Sequence, residues 1–268
     1  MADPALPLND IPAAVRLRGV TKVYDNGTVA LGPLDLDIRK GEFVSLLGSS
    51  GCGKSTALRL IAGLIAPSAG TVDVAARSSD HPIGFVFQEP TLMPWSTIRE
   101  NVRLPLKLAH VPDAQSTARV NEVLAQVGLA DFAEAYPREL SGGMKMRASL
   151  ARALVTEPDI LLMDEPFAAL DEITRFRLNN DLLTLWRELG KTVIFVTHSV
   201  FESVYLSQRV VVMTSRPGRV SAEHRIETAE PRDDAFRTSV AYTGYCRDVS
   251  QALMAASDPA FNDAKARA

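Results

Sequence analysis

The sequence predicts an α/β fold: a mostly parallel sheet, an N-terminal antiparallel β subdomain and an inserted helical lobe. Three observations carry this reading. Short apolar runs recur at 43–47, 83–87, 160–163, 193–196 and 210–213, each nearly continuous, as strands covered on both faces are. Helical stretches at 54–65 and 172–189 fall between such runs, the alternation of a parallel α/β sheet. The interval 89–139 contains no strong strand and reads as helices.

Taken in order, residues 1–12 are Pro-rich and are expected to form a flexible N-terminus. Residues 15–24 place Val15, Leu17, Val20 and Val23 among polar neighbours, the alternation of a half-buried strand. Asp25-Asn26-Gly27 is a turn signal and a second strand follows at 29–38, so the two read as an antiparallel hairpin beside the main sheet. Lobe helices are expected at 98–106, 114–127 and 130–135, broken by Pro105, Pro112 and Gly128. After residue 220 the pattern weakens. Residues 233–254 suit one or two helices, and the Ala-rich end from 257 to 268 is expected to fray. The domains are therefore a flexible 1–12, a main domain at 13–230 with its lobe over about 89–150, and a helical extension and tail at 231–268.

Composition narrows the function. A chain that is 46% hydrophobic and 23% charged, with net charge −3, is globular and offers no general attraction for nucleic acid. Its two cysteines, Cys52 and Cys246, form no metal or disulfide pattern, and a reducing cytoplasm is the simplest compartment. The first residues include an acid and two prolines, unlike a signal peptide. No window reaches the ~18 uninterrupted apolar residues that a membrane span needs.

The chemistry sits at strand ends. Gly48, Ser49, Ser50, Gly51, Cys52, Gly53, Lys54 and Ser55 fit G-x4-G-K-[ST] between a strand and a helix, the pattern of a P-loop NTPase. Its glycines let backbone N–H groups wrap phosphates, Lys54 neutralises them, and the Ser55 hydroxyl binds Mg²⁺. A chance match in a chain of this length has a probability of roughly 1%. Thr56 follows on the same helix, and Tyr24 ends the first strand where its ring could stack on a base; both join the nucleotide-binding set. Asp164 and Glu165 close an apolar strand. Asp164 can reach Mg²⁺ through water, while Glu165 can polarise an attacking water as catalytic base. His198 ends another strand, at the sheet edge where ligands bind, and can hold the γ-phosphate and the attacking water. Gln88 leads from a strand into the lobe, so its amide can sense Mg²⁺ and water while moving with the lobe. Cys52 lies at a helix N-terminus beside Lys54, which is expected to lower its thiol pKa. Alkylation there would then block ATP binding.

A second anion site begins at Ser141, an N-cap followed by Gly142 and Gly143. Glycine costs about 1 kcal/mol in a helix interior relative to alanine, so a tandem pair suggests close approach of a ligand to bare amides on the positive end of a helix dipole. Two phosphate sites with one catalytic set imply a nucleotide shared within a dimer.

The ordered set Tyr24, Gly48 to Ser55, Gln88, Leu140 to Met144, Met163 to Pro166, Ala169-Leu170-Asp171 and His198 resembles the nucleotide-binding subunit of an ABC transporter, over roughly residues 15–225. The resemblance implies a homodimer sandwiching ATP, in which Ser141, Gly142 and Gly143 of one subunit close over the nucleotide in the other's phosphate loop. It also implies that Gln88 and the lobe carry the motion to integral-membrane permease subunits, at the cytoplasmic face of the cell membrane. Residues 88–95, 140–147 and 167–171 are similar to those of nitrate/sulfonate/taurine importer ATPases, which implies indirect work with a periplasmic solute-binding protein and no nucleic acid partner. Exporter or lipid-transport ATPases share the same catalytic residues. A soluble ABC ATPase acting on DNA or ribosomes would usually carry a coiled coil or a second cassette. In this family the signature usually ends in Gln, whereas this chain has Met144. A thioether cannot donate a hydrogen bond, so binding there falls on Ser141 and the amides of Gly142 and Gly143.

Overall fold

A computed structural model describes residues 11–78, 83–228 and 232–257. Two sheets organise it. β1 (Ala13–Val23) pairs antiparallel with β2 (Val29–Arg39) and with β4 (Ala69–Val74), in the order β2-β1-β4. The hairpin forms and its alternation holds at Val15, Leu17 and Val20, which are buried while Arg16 and Arg18 are exposed, but Val23, at the end of β1, is exposed, contrary to expectation. β4 has no counterpart in the sequence reading. Its Ala-Gly-Thr start is exposed and weakly apolar, and backbone pairing with β1 makes it a strand.

The second sheet has the order β5-β6-β7-β3-β8-β9. β3 (Phe43–Leu47), β5 (Ile83–Val86), β6 (Ile160–Asp164), β7 (Thr192–Thr197) and β8 (Arg209–Met213) pair in parallel, and β9 (Val220–Arg225) lies antiparallel on the edge. The apolar runs are continuous because both faces of the sheet are covered. Val44, Leu46, Leu162, Ile194 and Val196 pack toward β1, β2 and α1 (Lys54–Ile61), whereas Phe43, Leu47, Leu161, Met163 and Phe195 pack toward the other helices. β9 escapes the apolar signal because it is a half-exposed polar edge strand, held in part by the Arg209–Glu223 ion pair.

Between β5 and β6 the chain forms the lobe helices α2 (Ile98–Leu108) and α3 (Asp113–Gln126), then α4 (Gly142–Leu154). Pro105 lies inside α2, contrary to its expected role as a breaker. It costs the helix one backbone hydrogen bond, and the buried residues Ile98, Asn101, Val102 and Leu106 hold the helix through it. The stretch at 130–135 is likewise shorter than expected, a single 3₁₀ turn at Ala130–Phe132. α1 ends at Ile61, four residues early, with Gly63 at positive φ just beyond.

α5 (Glu172–Leu189) starts at the Asp171 cap and ends at the left-handed Gly190. α6 (Val200–Leu206) follows β7, and the C-terminal segment adds α7 (Asp234–Arg237) and α8 (Val240–Ser257). The segment is fastened to the main domain. Arg232 is buried and donates to the carbonyls of Tyr205, Ser207 and Ile226, and Tyr242 donates to the Phe201 carbonyl. The readings for residues 1–10 and for the tail from 258 lie outside the described residues.

Candidate nucleotide site

β3, β7 and β6 are neighbours in the sheet, so their C-terminal ends deliver the phosphate loop, His198 and the two acids to one edge. The loop is built around absent side chains. A Cβ on Gly48 would lie 2.6 Å from Cys52 Sγ, and Gly53, at φ 103°, would meet the Ala30 carbonyl oxygen at 2.7 Å. Lys54 is buried and folds back over its loop, donating to the carbonyls of Gly48 (2.8 Å) and Ser49 (3.1 Å). Its ammonium is 3.6 Å from Glu165 Oε1.

The next residue, Ser55, donates its hydroxyl to Asp164 Oδ1 at 2.8 Å. Burial pushes the Asp164 carboxyl above its ordinary range, with the Ser55 hydrogen bond acting in the opposite sense. Successive residues of a strand point to opposite faces, yet Asp164 and Glu165 serve adjacent residues of one helix start. The reason is local. Glu165 has φ 46°, in the left-handed region, while its N–H still donates to the Val196 carbonyl at 3.0 Å. The ladder to β7 therefore runs one rung past the strand, and the pleat breaks where the second acid must turn. A non-glycine residue held there stores backbone strain of order 1–3 kcal/mol. His198 completes the group, with Nδ1 3.2 Å from Glu165 Oε2.

A cavity of about 390 Å³ opens beside this cluster, lined by Tyr24, Ser50, Gly51, Gly53, Lys54, Ser55, Thr56, Gln88 and Glu165. The Tyr24 hydroxyl is 3.3 Å from Thr56 Oγ1. Gly48, Ser49, Cys52, Asp164 and His198 frame the site from behind or beside this lining. Arg216 also lines the cavity and donates from Nε to the Gly51 carbonyl at 3.3 Å. Sequence reasoning passed over it, since a lone arginine in the turn after β8 carries no local pattern.

Cys52 departs from expectation. It is buried against the inside of its own loop, and burial pushes its thiol up despite the Lys54 ammonium 3.9 Å away. The thiol fills space under Gly48 and is not activated as the helix N-terminus suggested.

Ser141 caps α4, its Oγ accepting from the Met144 N–H at 3.3 Å. Gly142 is exposed. Gly143 is buried, and a Cβ there would stand 2.7 Å from Thr174 Cγ2 of α5. The second glycine is thus required by helix packing, whatever approaches the first. Met144 packs on the core. None of the three predicted residues Ser141, Gly142 and Gly143 lines the phosphate-loop cavity. In one chain the capped start of α4 and the phosphate-loop cavity stand apart. Gln88 is exposed, and the loop after it is tied to α4: Arg152 donates to the carbonyls of Pro90 and Thr91, each at 2.8 Å, and to Thr91 Oγ1 at 2.7 Å.

A family model described as ABC transporter matches residues 31–168. The chain belongs to the ABC transporter ATP-binding family. As an ABC ATPase it hydrolyses ATP for transport. It is similar to the aliphatic sulfonates import ATP-binding protein of Xanthomonas axonopodis pv. citri, at 45% identity over 230 residues, covering 84% of this chain and 89% of the relative. It is also similar to the nitrate import ATP-binding protein of Synechocystis sp., at 43% identity over 234 residues, covering 84% and 88%. Among solved structures, an ATP-binding cassette in a dimeric post-hydrolysis state with ADP and Pi aligns at TM-score 0.70 and 35% identity, covering 80% of this chain and all of that one. The antiparallel sheet, the mostly parallel sheet and the flanking helices of this ABC ATPase follow the family fold. None of its described helices is long and apolar enough to cross a membrane.

Proposed function

We propose that this ABC ATPase drives import of a small solute of the nitrate/sulfonate/taurine class, working as an ATP-bound homodimer on permease subunits at the cytoplasmic face of the cell membrane. The observation that carries the reading is the division of the site. Lys54, Ser55, Asp164, Glu165 and His198 form one connected cluster, while the capped glycine start at Ser141 lies outside its cavity. A second copy is the simplest source of the missing half, and the similar cassette is itself dimeric. The solute class rests on the sulfonate and nitrate relatives.

In this reading the loop amides and Lys54 hold the β- and γ-phosphates, and Lys54 exchanges its two carbonyl partners for phosphate oxygens. Ser55 and Asp164 fit Mg²⁺: both are oxygen donors, 2.8 Å apart, and a buried carboxylate gains from a cation. The ion supplies charge neutralisation on the phosphates. Glu165 orients the attacking water and accepts its proton, and His198 fixes the Glu165 carboxylate and contacts the γ-phosphate. Gln88, carried on a loop tied to α4 by Arg152, reports nucleotide occupancy to the lobe. Tyr24 stacks on the base. Ser141 and the amides of Gly142 and Gly143 bind the partner's nucleotide.

The test is affinity purification of the Glu165→Gln protein from membranes in ATP. Recovery of a permease together with a periplasmic solute receptor supports the importer. A permease with no receptor, or ribosomes or DNA in its place, overturns it.

A further inference from the structure

Among the described residues, two cations line the nucleotide cavity, Lys54 and Arg216. They are placed differently. Lys54 is buried, its ammonium donating to two loop carbonyls and lying 3.6 Å from Glu165 Oε1. Arg216 is exposed and belongs to the turn after β8, the strand that flanks β3 on the side away from β7 and β6. Its Nε donates to the Gly51 carbonyl at 3.3 Å, and a Cβ on Gly51 would stand 3.2 Å from its Nη2. Among the described residues no carboxylate pairs with it.

The turn that carries Arg216 is fixed on several sides. Gly218 fastens it to β2, its N–H donating to the Ala30 carbonyl at 3.0 Å and its carbonyl accepting from the Gly32 N–H at 3.1 Å. The Ser215 N–H donates to the Ala256 carbonyl of α8 at 3.1 Å. Within the turn, Thr214 Oγ1 donates to the Pro217 carbonyl at 2.9 Å and accepts from the Arg219 N–H at 3.0 Å. The turn also packs hard on the phosphate loop, since a Cβ on Gly218 would collide with the Cys52 carbonyl oxygen. An exposed guanidinium therefore hangs from a base that is held against the loop.

Electrostatics gives that position a use. Asp164 and Glu165 stand at the site beside the single ammonium of Lys54, while the ligand is a polyphosphate. A second cation on the β8 side of the loop offsets the field of the two acids. Beyond its bond to Gly51, Arg216 keeps its terminal nitrogens, and a guanidinium fork matches phosphate oxygens. We propose that Arg216 is a nucleotide-binding residue, its terminal nitrogens contacting the polyphosphate of ATP from the β8 side while Nε holds the Gly51 carbonyl. This role rests on the phosphate-loop cavity being the ATP site.

The test is calorimetric titration of the full chain with ATP, without Mg²⁺ so that the nucleotide is not turned over. Arg216→Gln keeps a donor for the Gly51 carbonyl but loses the charge. It should weaken ATP binding at least about tenfold, at unchanged Tm of the nucleotide-free protein. Arg216→Lys restores the charge and should bind within about threefold of the parent. Raising salt should narrow the gap between the parent and Arg216→Gln, since a charge contact at an exposed position is screened. Parental affinity in Arg216→Gln, a lysine variant as weak as the glutamine one, or a gap that salt leaves unchanged overturns the role of Arg216. Lys54→Ala separates this from the assignment of the cavity: parental ATP affinity in that variant would overturn the phosphate-loop site itself.

Discussion

At the scale of single residues, the two adjacent acids at the end of β6 differ in what they can be tested for. The Asp164 carboxyl is raised by burial. A carboxyl raised in the folded state contributes stability below its unfolded pKa, near 4, and loses it as pH rises through the folded value. Asp164→Asn should therefore melt at a higher temperature than the parent at pH 7 without nucleotide, and the gain should vanish at pH 4. The same substitution should remove Mg²⁺-dependent turnover, read by phosphate release. Glu165→Gln keeps the side-chain length and should retain ATP binding while turnover falls at least about 100-fold; near-parental hydrolysis would refute its role as base. Cys52 and Cys246 are both buried, with thiols pushed up, so both should resist alkylation at pH 7 in the native protein and react after unfolding.

At the scale of elements, the contact of α4 with α5 decides what Gly143 is for. Gly143→Ala brings a Cβ within 2.7 Å of Thr174 Cγ2, and such overpacking typically costs 1–3 kcal/mol. Thr174→Ser removes that methyl, so the double variant should recover the lost Tm. If close approach of a nucleotide to the Gly143 amide matters as well, the double variant stays impaired in turnover although its stability has returned. Arg152→Met should release Pro90 and Thr91 from α4, and amide exchange at Thr91 and Leu92 should accelerate while Met93, bonded to Asn101, and the sheet stay protected.

These elements also show what a sequence reveals. The phosphate loop, both acids, His198 and the strands beneath them were legible because each combines a continuous apolar run with a chemically pointed end. β4 and β9 were not, since pairing with a neighbour makes them strands and their own residues are polar or small. Arg216 and the positive φ of Glu165 were invisible for a related reason: each follows from what the chain meets in space. Pro105 misled because burial of one face of α2 outweighs a single lost hydrogen bond.

At the scale of the whole molecule, the proposed homodimer makes association depend on nucleotide. Glu165→Gln should elute as a monomer without nucleotide and as a dimer in ATP, whereas Lys54→Ala should remain monomeric in both, as read by light scattering. The helices of the C-terminal segment complete the fold around α6, and here Arg232 has a further consequence. One guanidinium from beyond residue 230 donates to carbonyls at the end of α6, just after it, and just after β9. A shortened relative ending at residue 230 would leave those oxygens bare within the domain it retained. Loss of α7 and α8 alone would spare this clasp, whereas loss of Arg232 would reach into the domain itself.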